Sequence, residues 1–314
     1  MMKVAALGEC MLEISNAQGP HLSKDMSCRF SYGGDTLNTA IYLARLGVQA
    51  GYITALGHDT YSDWLLTEWQ SEGLATHAVD RSRDLLPGLY MIQTDATGER
   101  SFQYWRAQSA ARAFFSDPNQ VAGLATALAD LDWLYFSGIS LSLMSEEAFE
   151  AFLMVLKSAC QKGLKIAFDS NYRPKNWPNA AAAKWRYIAI FGLCQIVLPT
   201  FTDEAQLFQD GSVEQCAARY RDLGVAEVVV KADVQGAYVV DAETSGWVPA
   251  VPVQKVLDAT GAGDAFNAAY LASRFDGANV QYSASRGHRL AAEVIQHPGA
   301  IITLTAMPDE RGTV

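Results

Sequence analysis

Short apolar runs alternate with stretches of helical period along most of the chain. Residues 4–7, 52–56, 133–136, 165–168, 195–198 and 227–231 are near-continuous apolar runs and are predicted as strands buried on both faces. Residues 36–46, 61–72, 145–162, 180–191 and 212–223 repeat their apolar positions every three or four residues and are predicted as helices. Gly47, Gly73, Gly163 and Gly224 fall just past four of these helices, where a left-handed residue ends a helix cheaply. Strands without polar alternation, separated by helices, imply an α/β fold: a Rossmann-like, mostly parallel sheet with helices on both faces. No repeat, low-complexity segment or linker divides the sequence, so residues 1–314 are expected to form one domain.

Two segments break this alternation. Residues 89–94 and 101–106 are strand-like and flank Asp95-Ala96-Thr97-Gly98, which reads as a hairpin turn. Residues 10–33 lack helical period and contain Gly19-Pro20. Insertions at about 10–33 and 88–107 are expected to form a small β-sheet lid over the main sheet. Period-two alternation puts Tyr104 and Arg106 on one face of the second strand, and Tyr90 shares that face if the register is favourable. Ordinary surface residues of a hairpin would show the same pattern.

Composition narrows the class. Half of the 314 residues are hydrophobic and 18% are charged, which suits a globular protein with a large core. The formal charge of −10 argues against a surface built for nucleic acid or anionic lipid, though a small anion can still be met by local positive charge. The five cysteines are widely spaced and form no CxxC pair, so reduced thiols are expected instead of a disulfide framework or a zinc site. No apolar run approaches 18 residues, and Glu9 and Glu13 interrupt the start of the chain where a signal peptide would be apolar. The expected compartment is the cytoplasm.

The candidate chemistry lies near the end of the chain, in Asp258-Ala259-Thr260-Gly261-Ala262-Gly263-Asp264-Ala265-Phe266. It sits between a strand-like stretch, 251–257, and a clear helix, 265–275. Gly261, Ala262 and Gly263 are small enough for the backbone to approach a ligand. The first N–H groups of a helix have no intrahelical acceptor and favour an anion. Asp264, in that first turn, is expected to be held as a carboxylate able to accept a proton from a hydroxyl. The same residues also fit a glycine-rich turn with an Asp cap. There is no GxxxxGK[ST], and Gly261-Ala262-Gly263 lacks the third glycine of a dinucleotide fingerprint.

The whole segment resembles the C-terminal signature of the ribokinase/PfkB family of carbohydrate kinases. Gly33-Gly34-Asp35-Thr36-Leu37-Asn38-Thr39-Ala40, running into Leu43-Ala44-Arg45-Leu46-Gly47, resembles that family's N-terminal motif. The resemblance extends over nearly the whole chain and implies a ribokinase-like fold, with ATP and Mg2+ as cofactors. It implies that Asp264 is the catalytic base and that the amides of Gly261, Ala262, Gly263 and Asp264 form an anion hole.

Within the family, Gly33–Asn38, Tyr90, Tyr104-Trp105-Arg106 and Asp169-Ser170-Asn171-Tyr172-Arg173-Pro174 most resemble the members that phosphorylate a sugar acid, 2-keto-3-deoxygluconate, at its terminal hydroxyl. That resemblance implies substrate binding by Gly34, Asp35, Thr36, Leu37, Asn38, Tyr90, Tyr104, Trp105, Arg106, Arg173 and Asp264. The substrate carboxylate would meet tyrosine hydroxyls and arginines, for which a guanidinium fork is well suited. Asp35 could also cap its helix.

For the nucleotide, the resemblance points to Asn171, Tyr172, Arg173 and the loop Lys231-Ala232-Asp233-Val234-Gln235-Gly236, along with Gly261–Asp264. The stretch 285–292 is a further candidate. The family's Asn-x-x-Glu motif is absent after residues 196–199, leaving Glu204 as a candidate magnesium organiser through water. The lid sheet, with its open edges, is expected to pair two copies of the chain. Two rival functions stay open: a kinase of the same family acting on a neutral sugar, and a non-catalytic sugar or nucleotide sensor.

Overall fold

In the first strand, β1 (Lys3–Leu7), Ala5 and Leu7 enter one apolar layer while Val4 and Ala6 enter another on the opposite face. That double burial is why the run shows no polar alternation. The structure is a computed structural model describing residues 3–16, 27–82, 84–94 and 100–308. The turn expected at 95–98 and the Gly19-Pro20 pair lie outside the described residues.

After β1 come β2 (Met11–Asn16), β3 (Cys28–Gly33), α1 (Asp35–Arg45), β4 (Gln49–Gly57), α2 (Thr60–Ser71) and β5 (Val79–Ser82). Next are β6 (Gly88–Thr94), β7 (Arg100–Trp105), α3 (Ala110–Ser116), α4 (Pro118–Leu128), β8 (Trp133–Ser137) and α5 (Gly138–Ser142). The middle of the chain forms α6 (Glu146–Gln161), β9 (Lys165–Asp169), α7 (Ala180–Phe191), β10 (Ile196–Val197), α8 (Phe201–Phe208) and α9 (Val213–Asp222). It ends with β11 (Glu227–Lys231), β12 (Ala237–Val240), β13 (Ser245–Val248), α10 (Ala262–Phe275) and α11 (Val280–Val294).

Nine strands form the main sheet in the order β13-β12-β11-β10-β9-β8-β1-β4-β5. It is parallel from β11 to β5, with β12 and β13 added antiparallel at one edge. One face is covered by α3 to α9, whose Phe152 and Tyr187 pack on Phe136 and Phe168 of the sheet with ring centres 5.4 and 5.3 Å apart. The other face is covered by α1, α2, α10 and α11. Chain order reverses at β1, whose neighbours are β4 on one side and β8 on the other. A parallel sheet opens a crevice at the carboxyl ends of the strands at such a reversal.

The second sheet has four strands, ordered β3-β2-β6-β7, and is the expected lid. Among the described residues no strand pairs with the outer edges of β3 and β7. Phe30 of β3 lies 5.3 Å from Trp64 of α2, ring to ring, and Tyr32 lies 5.4 Å from the same indole. These aromatic contacts seat the lid on the main body.

The helix ends follow local chemistry. Ser145, Asn179 and Ser212 cap α6, α7 and α9 by accepting the N–H of Ala148, Ala182 and Gln215. Gly47, Gly73, Gly163 and Gly224 take left-handed φ values of 86°, 80°, 107° and 91°. One expectation fails: residues 251–257 form no strand. Pro252 has no N–H to give a ladder, Val251, Val256 and Leu257 are exposed, and the Leu257 N–H bonds to the Ile295 carbonyl beyond α11.

Candidate active site

At the start of α10, Gly261 holds a left-handed φ of 77°, and a Cβ there would lie 2.7 Å from that of Ala300. Glycine is therefore required both for conformation and for space. Asp258 braces the loop by accepting the N–H groups of Thr260 at 3.0 Å and Gly299 at 2.7 Å. No side chain caps α10. The Ala262 N–H bonds back to the Ala259 carbonyl, so the amides of Gly263 and Asp264 are the ones the helix leaves for an anion.

Asp264 stands beside those amides. Its Oδ2 accepts the Asn38 side-chain N–H at 2.8 Å, and its carbonyl accepts the Thr39 hydroxyl at 3.2 Å. The carboxyl is pushed up to about 8, first by burial and then by the negative charge of Asp35, with Asp169 adding to it. The Asn38 bond and Lys231 pull the other way without prevailing. This corrects the expectation of a standing carboxylate: before ligands arrive, desolvation and like charge outweigh the helix start at neutral pH.

The N-terminal motif meets α10 here. Gly34 precedes α1 because a Cβ would come within 2.2 Å of the Glu9 carbonyl oxygen. Gly34 is the cap position, so Asp35 lies inside the first turn and does not cap it. Its Oδ2 accepts the Asn171 side-chain N–H at 2.8 Å, and burial raises its carboxyl above the usual range despite that bond. Thr36 and Leu37 are wholly buried, Thr36 against Tyr52 at 3.3 Å, and present no surface to a substrate. They hold α1 in place instead. The Asn38 Oδ1 is buried without a hydrogen-bond partner and remains available to a hydroxyl.

On the lid, Tyr90 pairs with Tyr104, with ring centres 5.9 Å apart, as the shared face required. Trp105 follows Tyr104 on the same strand and therefore points to the opposite face, away from that pair. The Tyr90 hydroxyl donates to Glu13, so it offers lone pairs, and the expected proton for a substrate carboxylate is already committed. Burial raises the Tyr104 hydroxyl, while the guanidinium groups of Arg106 and Arg173 pull it back. Both arginines are therefore near enough for their charge to act on Tyr104. Neither is unpaired: Arg106 Nη2 lies 2.5 Å from Glu9, and Arg173 Nη1 lies 3.0 Å from Asp203. Burial disfavours the Arg173 charge, but Asp203 and, further off, Asp169 and Asp35 outweigh it and raise its pKa.

Below the anion loop lies a buried polar chain whose Asn267 and Tyr135 the sequence motifs do not mark. Lys231 Nζ donates to Asn267 at 2.9 Å and lies 3.4 Å from Asp169. The Asn267 amide reaches Asp169 at 2.8 Å and the Tyr135 hydroxyl at 3.0 Å. Thr39 then links Tyr135 to the Asp264 backbone. Asn267 follows Asp264 by three positions, one helical turn, so its placement on the same face was available from spacing alone.

Other nucleotide candidates fare unevenly. Asn171 is left-handed, with φ 30°, at the end of β9, where its side chain ties Asp35 to that strand. Tyr172 is packed into the apolar layer, not open to a ligand. Ala232 is buried, whereas Asp233, Val234 and Gln235 form an exposed turn, with Val234 92% exposed. Gly236 is required because a Cβ would lie 2.1 Å from the Val248 carbonyl oxygen, a packing reason distinct from approach to a nucleotide. The stretch 285–292 belongs to α11, where Gly287 and His288 pack on Phe266 of α10.

Glu204 does not suit magnesium. It is completely buried, and its Oε2 accepts Arg219 Nη2 at 2.6 Å; the same nitrogen holds Asp210 at 2.6 Å. Its neighbour Asp203 turns the other way, toward Arg173. Burial and Asp169 raise the Asp203 carboxyl, while Arg173 and Lys231 oppose them. The charge of Asp169 acts on Asp35, Asp203 and Asp264, and that of Asp35 on Asp264. Carboxylate oxygens are donors of the kind a hydrated divalent cation takes.

The model of the pfkB family carbohydrate kinases matches residues 1–307. A 2-dehydro-3-deoxygluconokinase of Escherichia coli (strain K12) is 41% identical over 313 residues, covering 98% of this chain and 99% of that one. Among solved structures, a 2-dehydro-3-deoxygluconokinase of Thermotoga maritima superposes with a TM-score of 0.84 at 21% identity, covering 96% of both chains. A putative ribokinase II of E. coli, in complex with ATP and Mg2+, superposes with a TM-score of 0.83 at 22% identity, covering 96% and 95%.

Proposed function

Since the chain belongs to the pfkB family of carbohydrate kinases, we propose that it transfers the γ-phosphoryl group of ATP to the terminal C6 hydroxyl of 2-keto-3-deoxygluconate, giving 2-keto-3-deoxy-6-phosphogluconate. The observation that carries the reaction type is the pairing of Asp264 with the uncapped start of α10. The acceptor rests on the similarity to kinases of that name and on the positive charge that Arg106 and Arg173 bring near Tyr104.

In this reading the acid lies between the lid and the carboxyl ends of β1 and β9. Arg106 and Arg173 take its carboxylate, Tyr104 lies against it, and Tyr90 accepts from a substrate hydroxyl because its own proton goes to Glu13. Asp264, once ionised, takes the proton of the terminal hydroxyl, which attacks phosphorus in line. The Gly263 and Asp264 amides meet the negative charge on the moving phosphoryl group. Lys231, Asn267 and Asp169 hold the floor of that site. Magnesium, bound with the nucleotide, supplies charge neutralisation, with Asp169 and Asp203 as the side chains that would hold its water shell. Closure of the lid sheet excludes water from the transfer.

We further read residues 1–314 as one domain with its lid, working in the cytoplasm, where ATP is plentiful and the five thiols stay reduced. Among the described residues no helix is long and apolar enough to cross a membrane. The open edges of β3 and β7 favour pairing of two copies through the lid, which light scattering at several concentrations would measure.

A coupled assay of ADP release with ATP and Mg2+ tests the activity, using 2-keto-3-deoxygluconate, its C4 epimer, gluconate and fructose as acceptors. Faster turnover of fructose than of either keto-deoxy acid would overturn the acceptor. No ADP release with any acceptor would favour a sensor over an enzyme.

A further inference from the structure

Glu9 follows β1 and Gly8 and is 3% exposed, a setting in which a carboxylate is costly unless fully partnered. Its two oxygens are divided between two groups. Oε2 lies 2.5 Å from Arg106 Nη2, and Oε1 accepts the Ser109 hydroxyl at 2.6 Å. Ser109 is itself fixed, because its hydroxyl also caps α3 by accepting the Arg112 N–H at 3.1 Å. The surrounding backbone closes on Glu9 from two sides. Gly34 packs on its carbonyl, and a Cβ at Gly88 would lie 3.2 Å from Oε1 and 3.3 Å from the Arg106 Cβ. Five elements therefore converge on this residue: β1, the start of α1, the start of β6, the end of β7 and the start of α3.

Arg106 leaves β7 at the lid and is only 17% exposed at its side chain. Its Nε is buried without a hydrogen-bond acceptor, and its Nη2 meets Glu9 as a close ion pair, not as a hydrogen bond. Glu9 engages one terminal nitrogen, so the guanidinium keeps N–H groups for a second planar anion. An arginine at the end of a strand would otherwise sample many rotamers. A buried carboxylate anchored to the rigid body fixes both its direction and its depth.

We propose that Glu9 is a positioning residue for acceptor specificity: it aims the Arg106 guanidinium so that the substrate carboxylate is bound in a fixed orientation. The inference rests on the sugar-acid reading above. Glu9 touches no reacting atom in this role and acts through Arg106.

The test compares Glu9→Gln, Arg106→Ala and the double variant by steady-state kinetics, with 2-keto-3-deoxygluconate and with ATP varied in turn. Glu9→Gln is expected to raise KM for the acid about 10-fold, through loss of the ion pair that aims Arg106, while kcat and the KM for ATP stay within about twofold. Glu9→Asp is expected to recover part of the loss. The double variant should match Arg106→Ala alone, since two changes on one path do not add. Additive losses, or a parallel fall in kcat and in ATP binding, would overturn the positioning role. If Glu9→Gln does not fold, Glu9→Asp carries the same comparison. Wild-type turnover separates the two claims. An active wild type with an unchanged KM in Glu9→Gln overturns the role of Glu9 alone; a wild type inactive on the acid overturns the acceptor reading along with it.

Discussion

Asn38 donates its side-chain N–H to the carboxylate of Asp264 at 2.8 Å across 226 positions of sequence. The bond joins the N-terminal motif to the C-terminal one and opposes the burial that lifts the Asp264 carboxyl to about 8.

From this follows a pH profile. The proposed base works only when ionised, so kcat/KM is expected to rise tenfold per pH unit below about 8 and to level off above it. The profile of kcat should break at lower pH, because magnesium bound with the nucleotide favours the ionised form. Asn38→Ala removes a donor to the charged form and should move the kcat/KM limb to higher pH. Initial rates from about pH 6 to about pH 10 check both.

Asp264→Asn is expected to lower kcat by about 10²- to 10⁴-fold, the usual contribution of a positioned general base. Binding of ATP with Mg2+, followed by calorimetry, should change little, because the backbone amides of the anion loop remain.

The same substitution should also stabilise the protein. The folded carboxyl binds its proton more tightly than an unfolded aspartate, so stability falls as pH rises between about 4 and about 8. Asparagine carries no such penalty. Thermal melts should place Asp264→Asn above wild type, with a gap that widens across that window and is constant beyond it.

Arg106→Ala and Arg173→Ala are each expected to raise KM for the sugar acid about 10- to 100-fold and to leave any slow turnover of fructose nearly unchanged. Equal losses on both acceptors would mean that the guanidiniums shape the cleft without reading the carboxylate.

Two glycines with similar φ values should answer alanine differently. A Cβ at Gly47 would meet nothing within 4 Å, so Gly47→Ala is expected to cost about 1 kcal/mol and no activity. Gly261→Ala meets Ala300 as well, and should lower both melting temperature and kcat.

Much of this was legible in the chain. The core strands and the glycine-ended helices announced themselves, because burial on two faces and left-handed helix ends leave local signatures. The lid face was legible too, through Tyr90 and Tyr104. Residues 251–257 mislead because valines at a surface loop look like valines in a strand. Thr36 and Leu37 fit a substrate motif, yet a helix start shows the ligand only some of its residues and turns the others inward. Glu204 and Asp203 are adjacent acids that face opposite ways, a choice made by Arg219 and Arg173. Glu9 stands out in the sequence only for its charge, since nothing near it reveals that Arg106 arrives from the end of β7 and Ser109 from the start of α3.

Asn38 and Thr39 both reach Asp264 across more than two hundred positions of sequence. Under the proposed role of Asp264, a fragment that ends before α10 carries the sugar motif without the acid or the amides, and is expected to spend no ATP.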